Sequence, residues 1–286
     1  MSKIHALWRI LLILFLVLAG LGSFPNQAAG VDPAAVLLQT LSAEEKVGQL
    51  FLVTFDGTDV DEESEIYDLI TNHHIGGVVL LAENNNFTSQ DTVSQAQEMI
   101  RSLQEIEWET STEELTNRAS DSFVPLFVGM KQIGNGYPSD QILSGLTPLP
   151  SQMAIGATWD LGLASQVGQV LGRELSSLGV NLLLGPNLDV LETENSEAAA
   201  SLGVNTYGGD PFWVGEMGKS FISGLHTGSD DRVLVVAQNF PGTGNSDRSP
   251  ESEVATVRKS LIVSDTSIPG SSIGETGPIS SETGLW

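Results

Sequence analysis

Five short apolar segments, alternating with stretches of helical spacing, constrain the fold of this chain more than any other feature. They lie at 49–55, 76–81, 124–129, 180–184 and from Val233 onward. None alternates strictly between apolar and polar residues, which is typical of strands buried on both faces of a parallel sheet. The repeated strand–helix units predict an α/β fold, a TIM-type (β/α)8 barrel. About five of the eight units are recognisable, so we expect the barrel to be incomplete.

Capping signals and helical spacing place helices between these strands. Ser42 and Glu45 have the spacing of a capping box, and helical spacing runs from 89 to 104. Asp160 begins a long amphipathic helix that ends at Gly179, and Asp210 precedes a helix with proline at its first position. The predicted inner faces of these last two helices are Leu163, Val167, Val170, Leu171 and Leu175, and Val214, Met217, Phe221 and Leu225.

Composition excludes several functional classes. The chain has 286 residues, with 12 Lys and Arg against 36 Asp and Glu and a formal net charge of −24, so nucleic acid is not an expected partner. It has no cysteine, which excludes disulfides and thiolate metal sites. The adjacent His73 and His74 point in different directions and do not form a metal site. We therefore predict no metal and no cofactor.

The N-terminus, residues 1–30, is predicted to be an export signal. Lys3 and Arg9 precede an apolar run at 10–19, and NQAAG at 26–30 supplies small residues suited to cleavage. The run is short for a membrane span, which needs about 20 apolar residues. The alternative is an uncleaved N-terminal anchor, which would be the one contact with a membrane. The mature protein is predicted to be exported, to the cell envelope or the medium.

Three loops carry the polar residues that follow the predicted strands. They are MKQIGNG after the third strand, GPNLDV after the fourth and QNFPGTGNSD after the fifth. In a (β/α)8 barrel the chemistry lies on the loops at the carboxyl ends of the strands. These loops are therefore the candidate functional site.

Ordered motifs give the chain a family resemblance. LSAEEKVGQLFLVTFDG, IGGVVLL, PLFVGMKQIGNG, GVNLLLGPNLDV, GVNTYGGDP and VVAQNFPGTGNSD resemble, in order and spacing, the N-terminal barrel domain of glycoside hydrolase family 3. The nearest branch is the bacterial β-N-acetylhexosaminidases. The resemblance implies a barrel domain over residues 31–261 and a saccharide as substrate or ligand.

The same resemblance implies the candidate binding residues. Lys131 stands where the family has an aspartate that holds sugar hydroxyls, and Asn205 stands where it has an arginine. Gln238 and Asn239 replace a lysine and a histidine that bind the sugar, while the Phe, Pro and Gly residues of that loop remain. Asp189 matches a family aspartate, and capping of neighbouring backbone amides is its alternative role.

The implied catalytic residue is Asp247. In the resembling hexosaminidases an aspartate and a histidine two residues later form a proton-transfer pair, and here Ser249 stands at the histidine position. A salt bridge with Arg248 is the alternative role of Asp247. The family's nucleophile, an aspartate on a later strand, is not found, because Asp265 arrives too early in the chain.

Two functions follow from these residues. The first is hydrolysis of β-linked, N-acetylhexosamine-type saccharides by a family 3 glycoside hydrolase. The second is non-catalytic saccharide binding by a vestigial barrel. Residues 262–286 are rich in Gly, Ser, Thr and Pro, and they are predicted to be a disordered tail following a truncated barrel.

Overall fold

The structure is a computed structural model that describes residues 32–87, 91–115, 123–191, 203–240 and 242. The predicted export signal, Asp247 and the predicted tail lie outside these residues, and what was inferred for them stays a prediction. Within the described ranges, no helix is both long enough and apolar enough to cross a membrane.

Five parallel strands form one sheet in the order β1-β2-β3-β4-β5, which confirms the predicted α/β class. Their bounds are β1 Leu52–Val53, β2 Gly77–Val79, β3 Phe127–Met130, β4 Leu182–Asn187 and β5 Leu234–Gln238. In the register, Leu52 pairs with Gly77, Met130 with Leu183 and Leu183 with Val235. A register shift lies between Leu184 and Asn187 of β4, after which Asn187 pairs with Gln238.

Seven α-helices alternate with the strands in the described part of the chain. They are α1 Pro33–Thr40, α2 Ala43–Gly48, α3 Glu65–Thr71, α4 Thr92–Leu115, α5 Gln152–Gly156, α6 Leu161–Leu178 and α7 Pro211–Ser229. A 3-10 turn spans Ala82–Asn84. Of these, α1, α3, α5 and the 3-10 turn were not predicted from the sequence.

The predicted helix ends are confirmed. The capping box at α2 is complete, with the Ser42 side chain accepting from the Glu45 N–H and the Glu45 side chain accepting from the Ser42 N–H. Asp160 caps α6 by accepting two backbone N–H groups, and Gly179 ends it in the left-handed conformation. Asp210 caps α7 in the same way as Asp160 caps α6.

The predicted strands differ from the observed ones at their edges. The segment at 49–55 yields only the two residues of β1, because Gln49 still forms the end of α2. The strand predicted at 180–184 instead runs to Asn187, and the helix predicted at 89–104 continues to Leu115. Apolar runs set the presence of an element, whereas capping and pairing set its ends.

Helices α6 and α7 pack closely through glycines. A Cβ at Gly168 would clash with the Phe221 carbonyl oxygen, and one at Gly224 would clash with the Ser165 carbonyl oxygen. The predicted inner face of α7 is buried throughout. On α6, Leu163 and Val170 are only partly buried, because the glycines and Ala164 form the close contact instead.

The chain divides into two compact units. One contains the chain up to Val53 together with Asp59–Val78 and Arg101–Leu126. The other contains Thr54–Thr58, Val79–Ile100 and the chain from Phe127 onward. The second unit contains β3, β4, β5 and the loops that follow them.

Candidate functional site

The described candidate residues lie at the carboxyl ends of three adjacent strands. Lys131 directly follows β3, Asp189 follows β4, Gln238 ends β5 and Asn239 comes directly after it. Asn187 of β4 pairs with Gln238, and the Leu188 N–H donates to the Gln238 carbonyl over 2.9 Å. Because the strands are parallel, their carboxyl ends share one edge of the sheet, here called the carboxyl edge.

The loop after β3 is held by Asp140. Its Oδ1 accepts the N–H groups of Ile133 and Gly134 over 2.6 and 3.0 Å, and its Oδ2 accepts that of Gly136 over 2.6 Å. Asp140 is buried, so these bonds satisfy donors that no strand or helix uses. The sequence analysis missed this residue. A glycine-rich loop with several free backbone donors and an aspartate four residues after its last glycine was the available signal.

Gln132 closes the base of the same loop. Its Oε1 accepts the N–H groups of Gln141 and Ile142, and its Nε2 donates to the Ile142 carbonyl over 2.9 Å. The side chain is buried and acts as a structural bridge. It therefore leaves little hydrogen-bonding capacity for a ligand.

A buried amide network links this loop to β4. The Gln152 N–H donates to Asn135 Oδ1 over 2.9 Å, and Gln152 Nε2 donates to the Asn187 carbonyl over 3.0 Å. Tyr207 lies nearby with its hydroxyl buried and without a hydrogen bond of good geometry. Burial raises the pKa of Tyr207, and the Gln152 side chain offsets only part of that effect.

Asp189 is almost fully buried, at 1% exposure. Its Oδ1 accepts the Val190 N–H over 3.0 Å, and its backbone carbonyl accepts the Thr206 hydroxyl over 2.7 Å. The capping role proposed as an alternative for this aspartate is therefore present. Gly242, with φ of 109°, packs so close that a Cβ there would lie 2.7 Å from Asp189 Oδ1, so the β5 loop requires glycine at this position.

Asn205 joins the loops after β3 and β4. Its Oδ1 accepts the Ser139 hydroxyl over 3.1 Å. Asn239 is exposed and has φ of 59°, a conformation that asparagine tolerates better than most residues. These residues, together with Lys131, give the carboxyl edge amide and ammonium donors.

The carboxyl edge holds no metal site among the residues that the structure describes. No group of three or more His, Cys, Asp or Glu side chains within them could hold a metal ion. The His73 imidazole lies 3.7 Å from Asp68, as an exposed pair in the other unit.

The fold and the loops at the carboxyl edge define an α/β domain with polar residues at the strand ends, and comparison with known proteins identifies its family. The model of the glycosyl hydrolase family 3 N-terminal domain matches residues 42–264. The chain belongs to this family. The match confirms the TIM-type (β/α)8 barrel, of which five strands lie in the described residues.

Relatives of known name include β-hexosaminidases, β-glucosidases and a β-xylosidase. The chain is 29% identical over 186 residues to β-hexosaminidase A of Pseudoalteromonas piscicida, a match that covers 64% of this chain and 27% of that protein. It is 28% identical to the structure of a family 3 β-N-acetylglucosaminidase from Paenibacillus sp. str. FPU-7, with a TM-score of 0.60. That alignment covers 73% of this chain and 35% of the other.

A third relative is similar to the chain to about the same degree. The β-N-acetylhexosaminidase structure from Beutenbergia cavernae is 27% identical, with a TM-score of 0.58, and the alignment covers 73% of this chain and 56% of that one. The chain thus spans about a quarter to just over half of the length of these relatives.

Proposed function

We propose that this chain recognises β-linked N-acetylhexosamine saccharides at the carboxyl edge and hydrolyses their glycosidic bonds. The observation that carries the proposal is the convergence of three polar loops at this edge, in a family whose similar members include a β-hexosaminidase and a β-N-acetylglucosaminidase. The Ser139–Asn205 bond and the Gly242–Asp189 contact hold these loops together.

Hydrolysis places a specific demand on carboxylates. Retaining hydrolysis uses two carboxyl groups about 5 Å apart, one as acid and one as nucleophile. Asp140 and Asp189 already accept backbone N–H groups. The proposal therefore assigns the acid role to Asp247 and requires a second carboxylate, the nucleophile, from outside the described residues.

A second function, saccharide binding without catalysis, is supported by the donors at the edge. Lys131, Asn205, Gln238 and Asn239 have side-chain N–H groups that can donate to a ligand, and an amide is not a general acid or base. Such a set suits sugar hydroxyl and acetamido oxygens. This set of donors supports saccharide binding whether or not the glycosidic bond is then cleaved.

The test is turnover of a chromogenic N-acetyl-β-glucosaminide by the full chain, compared with Asp247→Asn and with Asp265→Asn as a matched control. Hydrolysis predicts activity in the wild type and in Asp265→Asn, with a loss of at least about 100-fold in Asp247→Asn. Calorimetric titration with N,N′-diacetylchitobiose separates the two functions. Binding without turnover supports the second function, and a folded chain that neither binds nor cleaves overturns both.

A further inference from the structure

Lys131 places a positively charged ammonium at the carboxyl edge. Its backbone carbonyl accepts the Gln141 N–H over 3.3 Å, which fixes the residue at the base of the β3 loop. The side chain is half-buried. Among the residues that the structure describes, its ammonium makes neither a hydrogen bond nor an ion pair.

The carboxylates of the neighbouring loops are engaged elsewhere. Asp140 is buried and accepts three backbone N–H groups. Asp189 is buried, accepts the Val190 N–H and lies against Gly242. Lys131 itself forms no ion pair with any described residue, so within the described residues the loops around it do not neutralise its charge.

An anion bound beside Lys131 would meet uncharged donors, while the carboxylates of Asp140 and Asp189 in the neighbouring loops are buried. The other donors at the edge, Asn205, Gln238 and Asn239, carry no charge that would repel one. The net charge of −24 repels anions at a distance, but at physiological ionic strength charges beyond about 8 Å are largely screened. An ammonium withdrawn partly from water pairs more strongly with an anion than a fully exposed one does.

We propose that Lys131 makes this edge select a saccharide that carries an anionic substituent on the sugar bound over β3. The inference rests on the proposed saccharide-binding function and adds the substrate class. The substituent is a carboxylate or a sulfate ester. The lysine ammonium acts as a point charge and lacks the planar fork of arginine, which favours bidentate partners. It can therefore pair with either a carboxylate or a sulfate ester.

The experiment is calorimetric titration of the full chain with three ligands that share one skeleton. They are methyl N-acetyl-β-glucosaminide, its C6 carboxylate and its 6-O-sulfate. The variants are Lys131→Met, which keeps the side-chain length without charge, and Lys131→Arg, which keeps the charge. Lys219→Met is the control, because it removes the same charge from an exposed position of α7.

The wild type, Lys131→Arg and Lys219→Met should bind at least one anionic ligand about tenfold more tightly than the neutral one. Lys131→Met should bind all three alike. The carboxylate and sulfate arms identify which anion is preferred. The wild-type preference should also fall as salt rises from about 20 to about 500 mM, a readout that does not depend on any variant folding.

Three outcomes overturn the inference. If the wild type binds the neutral ligand as tightly as the anionic ligands, or more tightly, there is no preference for an anion, although the saccharide function still stands. A preference that survives in Lys131→Met, or that is lost equally in Lys219→Met, shows that this side chain does not cause it. A folded wild type that binds none of the three ligands overturns the saccharide function together with the inference.

Discussion

Single side chains at the carboxyl edge divide into those that hold the backbone and those that remain accessible. Asp140 and Gln132 are buried and accept or donate only to backbone groups of their own loop. Lys131 and Asn239 are more accessible, and their side chains make no such bonds to the residues that the structure describes. Substitutions of the first pair should affect stability, whereas substitutions of the second pair should affect binding.

Tyr207 gives a prediction about pH. Its pKa is raised by burial above the ordinary value of 10.0, so the folded chain keeps a proton that the unfolded chain releases. Its contribution to stability is therefore complete below about pH 10 and is lost as the pH rises further, by up to about 1.4 kcal/mol per pH unit. Tyr207→Phe should abolish this loss.

Urea unfolding at about pH 7.5 and about pH 11 measures the effect. At the lower pH, Tyr207→Phe should differ from the wild type by less than about 1 kcal/mol, because the hydroxyl has no hydrogen bond of good geometry. At the higher pH the variant should be the more stable of the two. Tyr137→Phe, at an exposed position, is the control, and a difference that does not change with pH would contradict the prediction.

At the scale of elements, the close contact between α6 and α7 depends on glycines, which have no side chain. Gly168 and Gly172 of α6 face backbone carbonyl oxygens of α7, and Gly224 and Gly228 of α7 face those of α6. Each glycine costs up to about 1 kcal/mol of helix propensity relative to alanine. The close packing that they permit offsets this cost and holds the two helices of this unit together.

Gly168→Ala should therefore destabilise the chain by about 2–3 kcal/mol, because its Cβ would meet the Phe221 carbonyl oxygen. Gly215→Ala is the matched control on α7, where a Cβ meets no atom within 4 Å. It should stabilise the chain by up to about 1 kcal/mol through helix propensity alone. Denaturant unfolding of both variants tests the pair. Changes of the same sign would show that packing does not decide the outcome.

At the scale of the whole molecule, apolar side chains remain on an accessible strand. Among the described residues β5 pairs with β4 alone, and its Leu234 and Val236 are about half exposed. Both side chains point to the same face of the strand, because they are two residues apart. An accessible strand edge with apolar side chains promotes pairing between chains.

The isolated chain is accordingly expected to self-associate at tens of micromolar, and Val236→Lys should increase the monomer fraction by placing a charge on that strand. Val36→Lys is the control, since Val36 on α1 is 46% exposed against 48% for Val236. Size-exclusion chromatography with light scattering measures both variants. A wild type that stays monomeric at about 100 µM would contradict the prediction.

Local sequence patterns determined much of this protein. Ser42, Asp160 and Asp210 begin helices where the spacing predicts, because a cap and its helix lie within a few residues of each other. The order of strands and helices, and hence the parallel sheet, follows from apolar segments in the same local way. The motifs in the strand-end loops also predicted which edge of the sheet carries the candidate site.

Tertiary structure alone decided which side chains form hydrogen bonds between the loops at that edge. Gln152 reaches Asn187 across 35 residues of sequence, and Ser139 reaches Asn205 across 66. No local pattern records such pairs, because they depend on which loops the sheet brings together and on which backbone groups the strands leave unsatisfied. The sequence thus determined that Lys131 and Asp189 lie at one edge. Folding decided that Asp189 is buried and accepts the Val190 N–H, whereas the ammonium of Lys131 has no partner among the described residues.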